Sequence, residues 1–337
     1  MNVLNDYSMA VAGEGDYALR RIPGLITCAD GSILCYYECR SCLSDWALID
    51  IGMRKSTDGG LTWDKERIIA SSGGKNTVNN PVMMVAGEGK LILLYLENYK
   101  RLFQRESHDH GESWSEACEI TDALEAFRLE FPWTCATVGP GHGCRLPSGR
   151  LVINVWMASD KTNIFAHWPS VVSCLYSDDE GASWQRGQII GDPVEGANLN
   201  EAVILPLASG GVLFNIRNYA PCKRRYLAYN EDAAGEWRNC HFSEALRDPD
   251  CMAGMCRAGD DLLYCGCDTD GEGKQWGPSR IHLTLQRSHD DGATWEKCYL
   301  SKLGGYSDVC VAQDGKTAIV LYERNECSDL RLARVAL

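Results

Sequence analysis

The chain is expected to be all-β and to close into a six-bladed β-propeller, on three observations: an octet that recurs along its length, period-two apolar segments that precede the octets, and the lack of a convincing amphipathic helix. The octet reads Ser-x-Asp-x-Gly-x-(Thr/Ser)-Trp and begins at Ser56, Ser107, Ser177 and Ser288. A worn copy occupies residues 230–237, between the last two. The spacing defines a unit of roughly 50 to 60 residues, about six of which fill the chain.

Each octet reads as a hairpin turn. Asp and Gly supply side-chain-to-backbone hydrogen bonds and a positive φ, and Thr and Trp then resume the strand and pack. Residues 48–53 and 281–285 alternate into the first and last octets, and 91–95, 151–155 and 318–322 read as further strands. Repeated short strands with one turn motif per unit describe propeller blades. A single domain spanning residues 1–337 is expected.

Composition narrows the function classes. Hydrophobic residues are 45% and charged residues 23%, the balance of a globular chain with a real core. No apolar run approaches the roughly 18 residues of a membrane span. With 33 Lys and Arg against 46 Asp and Glu, the net charge of −13 disfavours a nucleic-acid partner. Seventeen cysteines, no Asn-x-Ser/Thr sequon and no basic-then-apolar leader lead to the expectation of a cytoplasmic protein with reduced thiols. Cys39 and Cys42 have CxxC spacing, but no second CxxC completes a four-thiolate zinc site, so no metal or other cofactor is expected. The sequence assigns no oligomeric state.

Beyond the octets, several segments carry chemistry: Arg21-Ile22-Pro23; residues 38–45, with Arg40 and Asp45; Asn200-Glu201 and, sixteen positions after the Glu, Arg217; Pro278-Ser279-Arg280; and Gly305-Tyr306-Ser307-Asp308. The Glu201–Arg217 spacing is that of an out-and-back hairpin turning at Ser209-Gly210-Gly211, which returns both side chains to one end of a blade. With these segments in this order, and with its octets matching Asp-boxes, the chain resembles sialidases (exo-neuraminidases) of the bacterial and animal type over roughly residues 17 to 335. Asp-boxes are scaffold hairpins found in non-catalytic propellers too, so the functional resemblance rests on the other segments.

That resemblance implies a metal-independent exo-sialidase acting with retention on sialylated glycans or oligosaccharides. Arg21, Arg217 and Arg280 would bind the substrate carboxylate, since guanidinium groups pair with carboxylates bidentately and stay charged. Tyr306 would be the nucleophile, activated by Glu201, because a neutral hydroxyl avoids the repulsion an anionic nucleophile meets from that carboxylate. Asp45 would be the acid/base and Arg40 a substrate contact. Asn79-Asn80-Pro81 departs from the family, in which an Asp often precedes the Pro, so Asn80 is the expected contact near the sugar's O4. Trp133, Met83 and Trp46 are the candidates for the N-acyl wall. Segment 139–143, Gly-Pro-Gly-His-Gly, matches a family stretch and reads as a loop beside the pocket. Arg105, Arg224, Arg225 and Glu323 read as surface charges, Asp50 as structural, and His142, His167 and His282 have no evident partner. Two alternatives remain: action on a related ulosonic acid (KDN or Kdo), by hydrolysis or transfer, and a non-catalytic sialoside-binding propeller.

Overall fold

A computed structural model describes residues 1–163, 167–208, 210–270 and 280–337. Ser209 of the expected turn, and Pro278 and Ser279 ahead of Arg280, lie outside the described residues. The strands form six antiparallel-built sheets of four or five strands, the six blades of the propeller. The only helix among the described residues is the short Asp122–Glu125, and none is long and apolar enough to cross a membrane.

Blade 1 is Leu19–Thr27, Ile33–Arg40, Ile49–Ser56 and Arg67–Ala70. Blade 2 starts at Val78–Val85, blade 3 at Cys135–Val138, blade 4 at Ala202–Pro206, blade 5 at Gly254–Ala258 and blade 6 at Ser307–Val311. The fourth strand of blade 6 is the N-terminal Asn2–Val11, paired antiparallel with Asp329–Ala336. Chain ends thus meet in one sheet, which closes the ring and leaves no open first or last blade.

Second strands explain why the apolar runs look as they do. Leu151–Ala158 and Ile33–Arg40 are buried at every position, because both faces of a blade are covered by its neighbours. A strand buried on both faces shows a continuous apolar run rather than alternation. The core therefore lies between blades, as in the cluster joining Leu94, Leu96, Val138 and Ile153.

Every octet links a third strand to a fourth, starting on the last residue of Ile49–Ser56, Arg101–Ser107, Ser170–Ser177 and Ile281–Ser288. In the first, Asp58 accepts the Thr62 amide (2.9 Å) and hydroxyl (2.6 Å) and the Leu61 amide (3.0 Å), while Ser56 Oγ accepts the Gly60 amide (2.9 Å). Those donors, the Thr62 hydroxyl foremost, hold the Asp58 carboxyl at about 2. Glycine is required at the fifth position twice over. At Gly181, φ is +90° and a Cβ would sit 2.3 Å from Ile92 Cδ1 of the preceding blade. The worn copy keeps the logic with other atoms: Asn230 Oδ1 accepts the Asp232 and Ala233 amides, and Ala233 takes the positive φ.

Candidate active site

The inner strands of blades 1 and 2 share a local break that presents side chains to one end of the ring. In Leu19–Thr27 the pairing slips between Arg21 and Gly24, and in Val78–Val85 it slips between Asn79 and Val82. Each slip holds an X-Pro step whose X residue is left-handed, Ile22 (φ +59°) and Asn80 (φ +52°). A β-branched residue at such a φ is strained, and proline supplies no ladder donor, so both breaks need outside support. They receive it from buried glutamates on the second strand of the preceding blade. Glu323 accepts the Ile22 amide at 3.0 Å, and Glu38 accepts the Asn80 amide at 2.7 Å.

The same two glutamates orient two arginines. Glu323 binds Arg21 Nε (3.0 Å) and Nη2 (3.4 Å), and Glu38 binds Arg40 Nε at 2.6 Å. Glu323 also accepts the Tyr306 amide at 3.2 Å. Its carboxyl is subject first to burial, which raises the pKa, but Arg21 and the Ile22 amide outweigh this and hold it low. Glu38, fully buried, is pushed up by burial in spite of Arg40. Glu323 is thus no surface charge, and neither is Arg225, which is buried and held by Asn215 Oδ1, the Cys251 carbonyl (2.9 Å) and Asp248 (3.5 Å). Arg105 and Arg224 are half-buried.

A cleft of about 500 Å³ opens at this end. It brings together Arg21, Arg40, Asp45, Asn80, Glu201, Arg217, Arg280 and Tyr306, eight of the nine residues expected from the sequence. The Tyr306 hydroxyl donates to Glu201 Oε1 at 2.7 Å and accepts from Arg217 Nη1 at 2.6 Å. Arg217 also pairs with Glu201, on the hairpin that returns the two side chains together (Ala202 faces Ile216). Around the Tyr306 ring stand the guanidinium groups of Arg21, Arg217 and Arg280, at 5.4, 5.9 and 5.0 Å from its centroid. Burial dominates at Tyr306 and keeps its hydroxyl protonated, with Arg217 opposing and Glu201 reinforcing. Across the cleft, Asp45 is bridged by Arg40 Nη1 (2.7 Å) and Arg21 Nη1 (3.6 Å). Burial would raise its carboxyl, but the two guanidinium groups prevail and hold it below the ordinary carboxylate range.

Trp133 is a correction. It does not line the cleft: it is 1% exposed, packs among Leu124 and Phe127, and donates its Nε1 to the Leu124 carbonyl. Met83 is core between blades 1 and 2, and Trp46 packs on Tyr99 at 4.6 Å rather than lining the cleft. The apolar wall is instead Tyr99, Trp156, Leu43 and Tyr219, with His167 edge-on to Trp156 (5.2 Å) and tilted against Tyr99 (5.7 Å). Of these aromatic residues only Trp156 lies on a strand; Trp133, Trp46, Tyr99 and Tyr219 stand in turns and connections, whose placement depends on the packing of neighbouring blades and leaves no periodic signal in the sequence.

Segment 139–143, expected as a loop beside the pocket, does not itself line the cleft. It runs between blades, with Gly141–His142 pairing parallel to Val82 and Met83. His142 has a partner after all: Nδ1 lies 2.9 Å from Asp308 Oδ2, two residues beyond Tyr306. Asp308 further accepts the Leu25 amide of blade 1 at 2.8 Å. Asp50 is structural as expected, accepting the Tyr17 hydroxyl at 2.7 Å. His282 is left-handed (φ +58°) and stands 6.2 Å from the Tyr299 ring.

Residues 28–319 match the model of the BNR repeat-like domain. The chain belongs to that family. Among curated relatives, this BNR-family chain is 25% identical to a sialidase of Bacteroides fragilis, over 93% of its own length and 61% of the relative's. It is 26% identical to a sialidase of Micromonospora viridifaciens, over 94% and 52% respectively. It therefore spans between half and two thirds of these relatives. Among solved structures, a Hadza microbial sialidase superimposes with a TM-score of 0.80 at 25% identity, covering 98% of this chain and 68% of that one. An intramolecular trans-sialidase of Ruminococcus gnavus shares the fold, with a TM-score of 0.75 at 14% identity over 100% of this chain and 98% of that one.

Proposed function

We propose that the chain is a retaining exo-α-sialidase that removes terminal sialic acid from glycoconjugates or oligosaccharides. The observation that carries this reading is the buried Tyr306–Glu201 hydrogen bond of 2.7 Å set among three arginines. A tyrosine hydroxyl paired with a carboxylate is an activated nucleophile, and a cluster of guanidinium groups around it fits a substrate whose carboxylate sits on the reacting carbon. Similarity to the two sialidases over more than nine-tenths of the chain supports the same reading.

Binding precedes chemistry. The carboxylate pairs with Arg21, Arg217 and Arg280, and the fixed anion then offsets the positive charge that develops at the anomeric carbon. Tyr306 Oη attacks that carbon as its proton passes to Glu201. Asp45 protonates the departing aglycone oxygen, and the sugar is left bonded to Tyr306. Pairing Arg21 with the substrate weakens its hold on Asp45 and raises that carboxyl toward the range an acid needs. Asp45, ionised after the first step, takes a proton from water, which attacks the anomeric carbon and releases Tyr306. The Tyr306 oxygen regains its proton from Glu201. Arg40 and Asn80 line the side of the cleft beside Asp45, where they contact the sugar, and the Tyr99–Trp156 wall suits an N-acyl group.

Hydrolysis of a fluorogenic aryl sialoside is the direct test. Tyr306→Phe is expected to lower kcat/KM about 1,000-fold or more with the fold intact by circular dichroism. Retention of full activity would remove Tyr306 as nucleophile. No hydrolysis by the folded wild type, in a panel that includes KDN and Kdo ketosides, would point to a binding propeller.

A further inference from the structure

The face opposite the cleft holds a second group of chemically capable side chains. Leu19–Thr27 carries Arg21 near its start and ends beside Cys28, about 20 Å away at the rise of an extended strand. The turn that follows brings Cys28 and Asp30 to the octet of blade 2, where His110 occupies the fourth position. Sulfur, carboxylate oxygen and imidazole nitrogen all lie within 4.8 Å of one another. His110 Nδ1 is buried and makes no hydrogen bond, and its 3.7 Å to Asp30 Oδ1 is too long for one.

We propose that Cys28, Asp30 and His110 bind a zinc ion, with water completing a tetrahedron, and that the ion clamps blade 1 to blade 2. The 3.7 Å edge between His110 Nδ1 and Asp30 Oδ1 is near that of a tetrahedral site with bonds of about 2.0 to 2.3 Å, and the Cys28 sulfur lies within 4.8 Å of both ligand atoms. One thiolate, one imidazole and one carboxylate suit zinc, whereas magnesium and calcium prefer oxygen alone. The ligands are pre-positioned. Asp30 Oδ1 accepts the Ser32 amide (3.0 Å) and hydroxyl (2.6 Å), and the turn is pinned by Cys28 N to Ser32 O at 2.8 Å. His110 sits in the left-handed octet position (φ +56°), and Lys55 Nζ binds its carbonyl at 3.0 Å. The Lys55 charge is met by Glu112 at 2.7 Å, which limits its repulsion of a cation. The half-exposed Asp30 leaves an entry path, and coordination releases the Cys28 thiol proton to solvent.

Only blade 2 is equipped this way, because the fourth octet position is Gly59, Glu180 or Asp291 in the other full copies. That pattern supplies a clean variant: His110→Gly installs the residue already tolerated in the blade 1 octet. The full chain, stripped with a chelator and held reduced by a phosphine, is titrated with Co²⁺ as a spectroscopic probe. One equivalent is expected to give tetrahedral d–d bands and a thiolate-to-cobalt charge-transfer band, bleached by Zn²⁺, and Zn²⁺ is expected to raise Tm by a few degrees. Cys28→Ser and His110→Gly should each weaken binding at least about 100-fold and abolish the Tm shift, and leave sialoside hydrolysis at 25 °C unchanged. No thiolate band in the wild type, or a band that survives in both variants and so belongs to other thiols, overturns the proposal. Both readouts are independent of whether the cleft hydrolyses sialosides.

Discussion

At Asp45 two requirements compete. Arg40 and Arg21 hold its carboxyl ionised before substrate arrives, yet the proposed mechanism needs it as an acid. The demand for that proton depends on the leaving group. Asp45→Asn is expected to lower kcat/KM on a sialyl-lactose by about 100- to 10,000-fold, while an aryl sialoside, whose phenolate leaves unaided, loses far less. Because kcat/KM reports only the steps up to the covalent intermediate, the comparison isolates the acid role. Equal losses on both substrates would remove Asp45 from it. The carboxylates that hold the arginines were harder to read. Glu323 and Glu38 are single charges without local pattern, and only the approach of a neighbouring blade turns each into a buried partner of a guanidinium and a strained amide.

Among the elements, the segment at residues 139–143 ties together parts distant in sequence: it pairs with the inner strand of blade 2, and its His142 meets Asp308 of blade 6. Burial works against a charged His142, but Asp308 more than compensates and raises its pKa above the ordinary value. A histidine raised on folding contributes stability in full below its unfolded pKa of about 6.5, and the contribution is lost as pH climbs through the raised folded value. His142→Ala is therefore expected to cost about 3 kcal/mol in urea denaturation at pH 6 and clearly less at pH 9. A pH-independent cost would mean that the pair acts by packing alone. The octets are the opposite case, being legible from sequence since the Ser and Asp hydrogen bonds that shape each turn close within eight residues.

For the whole molecule, closure depends on Asn2–Val11. Besides pairing with Asp329–Ala336, that strand sends the Tyr7 hydroxyl to the Gly60 carbonyl at 2.7 Å and receives Trp63 Nε1 at 2.9 Å, so it links blade 6 to the octet of blade 1. Removing residues 1–11 is expected to destabilise the ring by on the order of 5 kcal/mol, the sum of several lost ladder bonds, and to broaden the unfolding transition. A loss below about 1 kcal/mol would show that the other blades close the ring without it.

Local chemistry is what a sequence states openly. Octets whose turn hydrogen bonds are local, together with strand periodicity, were enough for the all-β propeller and its six blades, whereas eight of the nine expected cleft residues came through the resemblance of the segments between the octets to sialidases. Trp133, the Tyr99–Trp156 wall, the His142–Asp308 pair and the glutamates under Arg21 and Arg40 depended on which blade packs against which. Their contacts span as many as 302 positions of chain. A strand buried on both faces carries no alternation to mark its sides, and no short-range pattern encodes a meeting of side chains from different blades.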